Sequence, residues 1–329
     1  MQTLRRAAAV LIYPAILCLG VACERTPSTA SVPLGGPQAD LSTQTVSQVA
    51  QRLAQQLEAS DPLIPDGTLA LDDQLPFGHT IHVVDRDNKD SWKVQVSSGA
   101  VTFENETMCD PDNGPPLPPG ALHLVVIPGP EPTYARLRST RYHRTYLRDL
   151  TRLDYYTCDQ QNNGQQWPFI ALEIDWDGNN TIDDELIFEP TYQNPVDGGA
   201  CGVGSAQGPP VAPFVGQRWQ FWDALRMDAA TGEFRACWWS TCAFDVPPCV
   251  PPFLPGDVIQ PLSAYIVAHP DAAIVNLDGN HGGVQIIHGL SDPDNMYNGW
   301  VDAFTIGKDI NGSNGQTQNS TITYDFQKP

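Results

Sequence analysis

Basic residues are scarce in this chain: 18 Lys and Arg stand against 38 Asp and Glu in 329 residues, a formal net charge of -20 at neutral pH. A surface of that sign repels polyanions, which removes nucleic acid from the partners to expect. No Gly-x-Ser-x-Gly, His-Glu-x-x-His or phosphate-cradling glycine loop occurs, so serine hydrolases, zincins and nucleotide enzymes find no support. Neither a Cys-x-x-Cys pair nor a His-x-x-x-His spacing is present, and the seven histidines form no ligand pattern, which argues against zinc. The one long apolar stretch, Ala7 to Ala22, is too short and too early to read as a spanning helix.

That stretch follows Arg5 and Arg6, the charged-then-hydrophobic layout of a signal peptide over residues 1–22. It ends in Leu19-Gly20-Val21-Ala22-Cys23, which resembles the processing box of bacterial lipoproteins, with Gly20 where that family usually has leucine. The resemblance implies that the Cys23 thiol is acylated, becomes the new N-terminus and anchors the chain to a membrane. Glu24, where an aspartate would favour inner-membrane retention, points to the outer membrane or cell surface. An ordinary secretory signal cut after Ala22 is the alternative. Because residues 1–22 hold two arginines and no acid, cleavage leaves 16 basic residues and takes the charge from -20 to -22. Such acidity suits divalent cations or neutral sugars, and equally a plain solvated surface.

Of the eight cysteines, Cys18 lies in the signal and Cys23 carries the expected lipid. Cys109, Cys158, Cys201, Cys237, Cys242 and Cys249 remain, and in an oxidising compartment six cysteines imply three disulfides with fifteen open pairings.

Residues 23–41 are rich in Pro, Ser, Thr and Gly and read as a flexible lipidated spacer. Val46, Val49, Leu53 and Leu57 recur at helical spacing, predicting an amphipathic helix over 42–60. From about residue 75 to 329 the texture changes to short β-branched and aromatic runs divided by Gly, Pro, Asn and Asp. This predicts an all-β domain: two antiparallel sheets packed face to face in a jelly-roll-like β-sandwich, late strands pairing early ones. Short helices are expected only at Tyr146 to Leu150 and Leu262 to Val267.

The segment Phe169 to Glu189 carries the most chemistry. Strand alternation puts Ile170, Leu172, Ile174 and Trp176 on one face and Glu173, Asp175 and Asp177 on the other. Asp183, Asp184 and Glu185 return just after a Gly-Asn-Asn turn, and so many acids at one hairpin end repel unless water or a cation intervenes. Calcium is the natural cation, and Asp175, Asp177, Asn179, Asp183 and Glu185 are its candidate ligands. The spacing resembles EF-hand-like loops, although Asn180 replaces the usual glycine and Leu186 stands where the bidentate glutamate belongs. A hairpin turn using Asp, Gly and Asn for their conformations explains the same residues without metal.

Glu173-Ile174-Asp175-Trp176-Asp177 also resembles the Glu-x-Asp-x-Glu strand of laminarinase-type glycoside hydrolases, themselves jelly rolls. That resemblance implies Glu173 as nucleophile, Asp175 as its orienting partner and Asp177 as acid/base, one methylene short of the family's glutamate. Retaining hydrolysis needs carboxyls about 5 to 5.5 Å apart, which alternate strand positions approach. Trp219, Trp222, Trp238, Trp239 and Trp300 are candidate stacking platforms for sugar rings, with core packing as the alternative.

The order of segments is similar to carbohydrate-binding and laminin-G-like jelly rolls. It includes the strands at Gly99 to Phe103 and Pro119 to Leu124, the Asp175 loop, the Trp219 segment, the His269 turn and the closing Val301 strand. The leading expectation is a non-catalytic, envelope-anchored lipoprotein that binds a glycan or another envelope component, or is purely structural. A hydrolase using Glu173 is the rival. The two part at one residue: Glu173→Gln should abolish polysaccharide cleavage if the chain is a hydrolase and leave binding nearly intact if it is not, as read by sugar release and by binding of the same polysaccharide.

Overall fold

In a computed structural model the described residues are 78–105, 109–110, 114–130, 132–164, 166–193, 207, 210, 218–242, 259–277, 282–290, 294–311 and 317–329. Cys23, the 23–41 spacer, the helix expected over 42–60, Cys201 and Cys249 lie outside them.

Period-two alternation becomes two sheets. One contains β1 (His79–Val84), β3 (Gly99–Glu104), β4 (Ala121–Val126), β7 (Leu150–Gln161), β10 (Gln220–Asp223), β15 (Tyr297–Asn311) and β16 (Thr317–Phe326). The other contains β2 (Trp92–Val96), β5 (Tyr134–Ser139), β6 (Thr145–Tyr146), β8 (Phe169–Asp175), β9 (Asp184–Phe188), β11 (Cys237–Ser240), β12 (Ile259–Pro261), β13 (Ala273–Ile274) and β14 (Val284–Gly289). Their inner faces share one core. Leu122, Leu124, Phe304, Ile306 and Phe326 of the first sheet pack in the same cluster as Leu137, Ile170, Leu172, Ile286 and Trp238 of the second. The chain is an all-β sandwich, as expected.

Late strands do pair early ones: β15 with β4, β14 with β5 and β16 with β1. The last of these ladders runs parallel, a departure from the purely antiparallel sheets expected. The helix α1 (Leu262–Ala268) opens directly after Pro261 and buries Leu262 and Tyr265. The helix expected at Tyr146 to Leu150 shrinks to a 3-10 turn over Leu147–Asp149, because Tyr146 and Leu150 are taken up by β6 and β7.

Cys109 and Cys158 form a disulfide with Cα atoms 6.0 Å apart, and Cys237 and Cys242 each take part in a disulfide, though not the same one. The Cys109–Cys158 bridge belongs to an apolar cluster with Ala121, Trp219 and Trp300 that is separate from the inter-sheet core. Closing a sequence separation of 49 restricts the unfolded chain, an effect on the order of 4 kcal/mol in the loop-entropy picture.

Candidate functional site: an aspartate turn beside a cleft

The site is built by β8. Its inward residues Ile170, Leu172 and Ile174 are fully buried, which fixes the register and sends Glu173 and Asp175 to the opposite face. Neighbours occupy both edges: β9 on one, and β14 followed by β13 on the other. Glu173 and Asp175 are consequently buried as well, each 6% exposed.

Asp175 ends the strand and organises the turn after it. Its Oδ1 accepts the backbone N–H groups of Gly178 (2.7 Å) and Asp177 (3.3 Å), and its Oδ2 accepts that of Asn180 (2.8 Å). The turn demands left-handed backbone at Gly178 (φ 79°) and Asn180 (φ 65°), residues that adopt it with little strain. On the returning side the Asp183 N–H donates to the Ile174 carbonyl (2.8 Å), while Asp183 Oδ2 accepts the Trp176 N–H (2.9 Å). Asp177 accepts from the Asn179 N–H (3.0 Å) and from its amide (2.9 Å).

This folding brings three carboxylates together. Asp175, Asp177 and Asp183 each offer an oxygen within 4.8 Å of the others, a group that could hold a metal ion. Burial holds the Asp183 carboxyl above its ordinary value; the charges of Asp177 and Asp175 add to this, and the Trp176 N–H opposes it. Asn179 stands in the same turn, its side-chain carbonyl accepting the Thr181 N–H (2.7 Å). Glu185, expected among the ligands, belongs to a different group. It lies directly across the β8–β9 ladder from Glu173, because the returning strand has resumed alternation by then.

Glu173 and Glu185 face one donor. Gln285 Nε2 donates to Glu173 Oε1 (3.0 Å) and to Glu185 Oε1 (3.5 Å), while the Arg136 guanidinium donates to Gln285 Oε1 (2.8 Å). Burial first, then the charge of Glu173, pushes Glu185 up to about 7. The catalytic layout implied by the laminarinase resemblance is not reproduced. Asp175 directs its oxygens to the turn and Asp177 sits in the exposed turn, so the carboxyl opposite Glu173 is Glu185.

The five tryptophans are buried, Trp239 the most exposed at 9%. Trp222 and Trp238 fill the inter-sheet core, their indole N–H groups donating to Thr157 Oγ1 and the Ala224 carbonyl, both at 2.8 Å. Trp219 and Trp300 pack beside the Cys109–Cys158 bridge, and Trp300 stacks on His123 with ring centres 4.3 Å apart. Trp239 donates to Glu189 Oε1 (3.0 Å). None of the five presents an open ring face, so the stacking-platform expectation is corrected: these indoles serve packing.

Beside the aspartate turn lies a cleft of about 230 Å³ that sequence reasoning missed. It is lined by His143, Arg144, Tyr146 and Asp271 together with Asp175–Gly178 and the β13 segment. These pieces are distant in sequence and meet because β13 pairs with both β6 and the end of β8. Two-residue strands leave no periodic signal, so nothing local announces the meeting.

Comparison with known proteins returns no matching family model, no similar curated protein and no similar solved structure.

Several buried acids give stability a distinctive pH dependence. Burial pushes Glu189 up to about 7, and the Trp239 N–H offsets part of that rise. An acid with a raised native value holds its proton more tightly folded than unfolded. Its contribution is complete below the unfolded value, about 4.3 for glutamate, and is lost as pH rises through 7. Burial likewise pushes Asp325 up to about 7 and, against the opposing Arg152, Asp154 up to about 6, with the same sign. Stability should therefore fall between about pH 4 and pH 7. Glu189→Gln, which keeps an acceptor for Trp239, should reduce that fall by up to about 3 kcal/mol in denaturant titrations. Identical pH slopes in the two proteins would mean that Glu189 titrates as an ordinary carboxylate.

Proposed function

We propose that the protein is a non-catalytic, lipid-anchored component of a bacterial envelope, tethered through Cys23 at the outer membrane or cell surface. In this reading its jelly-roll-like sandwich is stabilised by calcium and binds a glycan or another envelope component. The convergence of Asp175, Asp177 and Asp183 at the end of β8 carries the reading. All three ligands are hard oxygens with no nitrogen or sulfur among them, the donor set that suits calcium over zinc or copper. Asp175 accepts backbone N–H groups and still retains lone pairs for an ion, since an ionised carboxylate has about four acceptor sites. Two positive charges there would offset the repulsion that burial intensifies at Asp183.

The hydrolase reading draws less support from the same geometry. Glu173 is nearly fully buried, and the acid/base expected at position 177 points into the turn, where it accepts from Asn179. A sealed carboxyl is poorly placed to attack a polysaccharide.

An ion bound only by the native state raises stability by mass action, by about 2.7 kcal/mol when its concentration is 100-fold above Kd. The melting temperature should rise by about 5 °C or more in millimolar calcium relative to chelator. Asp177→Ala should abolish the rise while leaving the Asp175 turn bonds in place. A calcium response that survives Asp177→Ala, or no response in the parent protein, would overturn the assignment.

A further inference from the structure

We propose that Cys201 is bonded to Cys237 and Cys242 to Cys249, which with Cys109–Cys158 completes three disulfides. This rests on the reading of the protein as an exported lipoprotein, in which residues 1–22 are removed and Cys23 carries the lipid. With Cys18 and Cys23 so set aside, Cys201 and Cys249 are the partners left for Cys237 and Cys242. Two arrangements remain, and the surroundings of β11 separate them.

The two sulfurs belong to opposite sides of the second sheet. Trp238 packs in the inter-sheet core, so strand alternation turns Cys237 outward with Trp239. Cys242, two residues past the end of β11, packs in the inter-sheet core, and its Sγ lies 3.3 Å from the Asp183 carbonyl oxygen. They also mark opposite ends of β9, which runs antiparallel beside β11. Cys237 lies where β9 has ended: Gln193 Nε2 donates to the Cys237 carbonyl (2.8 Å) and Gln193 Oε1 accepts the Cys237 N–H (3.0 Å). Cys242 lies where β9 begins, its N–H donating to Asp184 Oδ1 (3.1 Å).

Each of the other two cysteines is tethered to one of these ends. The chain leaves the 3-10 turn Pro190–Gln193 and is back beside it at Gln207, whose N–H donates to the Gln193 carbonyl (3.0 Å). Cys201 lies between, so both ends of its segment are fixed at the Cys237 end. Cys249 follows Cys242 by seven residues, and the chain returns as β12 at Ile259, opposite Trp239, before Pro261 passes Cys237. Its segment therefore leaves and returns on the Cys242 side. A disulfide holds its Cα atoms about 4.4 to 6.8 Å apart. The extended stretch from Cys237 to Ser240 alone spans about 10 Å. The crossed bonds, Cys201 to Cys242 and Cys237 to Cys249, would carry both segments along β11 and to the other face of the sheet.

Each bond consumes two thiols, releases two protons and passes two electrons to a protein disulfide of the oxidising compartment, which leaves as a dithiol. The Cys201–Cys237 bond fastens the connection between β9 and β10 to β11. The Cys242–Cys249 bond fastens the segment that grips the returning limb of the aspartate turn, where Thr241 Oγ1 (2.8 Å) and the Cys242 N–H both donate to Asp184 Oδ1.

The full-length protein, produced in a bacterial envelope, would be treated with N-ethylmaleimide to block free thiols and digested with chymotrypsin without reduction. Cleavage after Trp238 or Trp239 parts Cys237 from Cys242, and cleavage after Phe244 parts Cys242 from Cys249, so each bond leaves a peptide pair of its own mass. Mass spectrometry should find Cys201 joined to Cys237 and Cys242 joined to Cys249, each pair separating on reduction. In Cys201→Ser one new thiol should become alkylatable in denaturant and map to Cys237. Peptides joining Cys201 to Cys242 or Cys237 to Cys249, or a new thiol at Cys242 in the variant, would overturn the pairing and leave the lipoprotein reading standing. The expected pairs beside an unacylated Cys23 peptide would overturn the lipid reading and leave the pairing standing. A bond to Cys23 would overturn both.

Discussion

Glu173 and Asp175 sit on a strand with neighbours on both edges and cover on both faces, where a carboxylate without partners costs several kcal/mol. The architecture around β8 answers that constraint in two ways. At position 173 the answer is lateral: the Gln285 amide reaches the carboxylates of two adjacent strands and is itself held by Arg136. At position 175 the answer is longitudinal: the strand stops, and the N–H groups of Asp177, Gly178 and Asn180 turn back onto the carboxylate. The first solution makes a sealed polar layer. The second makes a turn.

The turn is where the candidate site is assembled. Because Asp175 dictates its path, Asp177 and Asp183 arrive within ligand distance of each other without any further device. Arg144 reaches across from the β5–β6 connection to bond Asn180, tying the turn to the far wall of the cleft. A cation in the carboxylate group would thus act on the cleft through the turn's backbone. The lateral solution has a different consequence, since a buried acid that prefers its proton makes stability sensitive to pH up to near neutrality, as at Glu185.

Strands with clean alternation are legible in the sequence. The strands Gly99–Glu104, Ala121–Val126 and Phe169–Asp175 are found within two residues of where the pattern puts them. Strand β5 is not legible, because Arg136 and Arg138 read as solvent-facing while Arg138 is fully buried. The long β7 strand hides behind a mixture of Asp, Thr, Tyr and Gln whose burial depends on partners more than a hundred residues away, chiefly β15. The aspartate turn is legible because its acids lie within nine residues of one another in sequence, from Asp175 to Asp183. Glu185 is the misreading there, since proximity along the chain does not survive the return to strand alternation. For the tryptophans composition misleads in the other direction: an indole offers the same residue type to a sugar or to apolar packing, and here three separate apolar clusters bury all five.

Luminescence of terbium, a calcium substitute excited by energy transfer from nearby indole, tests the central claim most directly, because Trp176 lies between two of the three carboxylates in sequence and donates its backbone N–H to Asp183. The account predicts sensitised emission that saturates at one ion per chain, is displaced by calcium, and is lost in both Asp177→Ala and Trp176→Phe. Emission that is absent, or that persists at full strength in Asp177→Ala, would show that the turn is held by its hydrogen bonds alone.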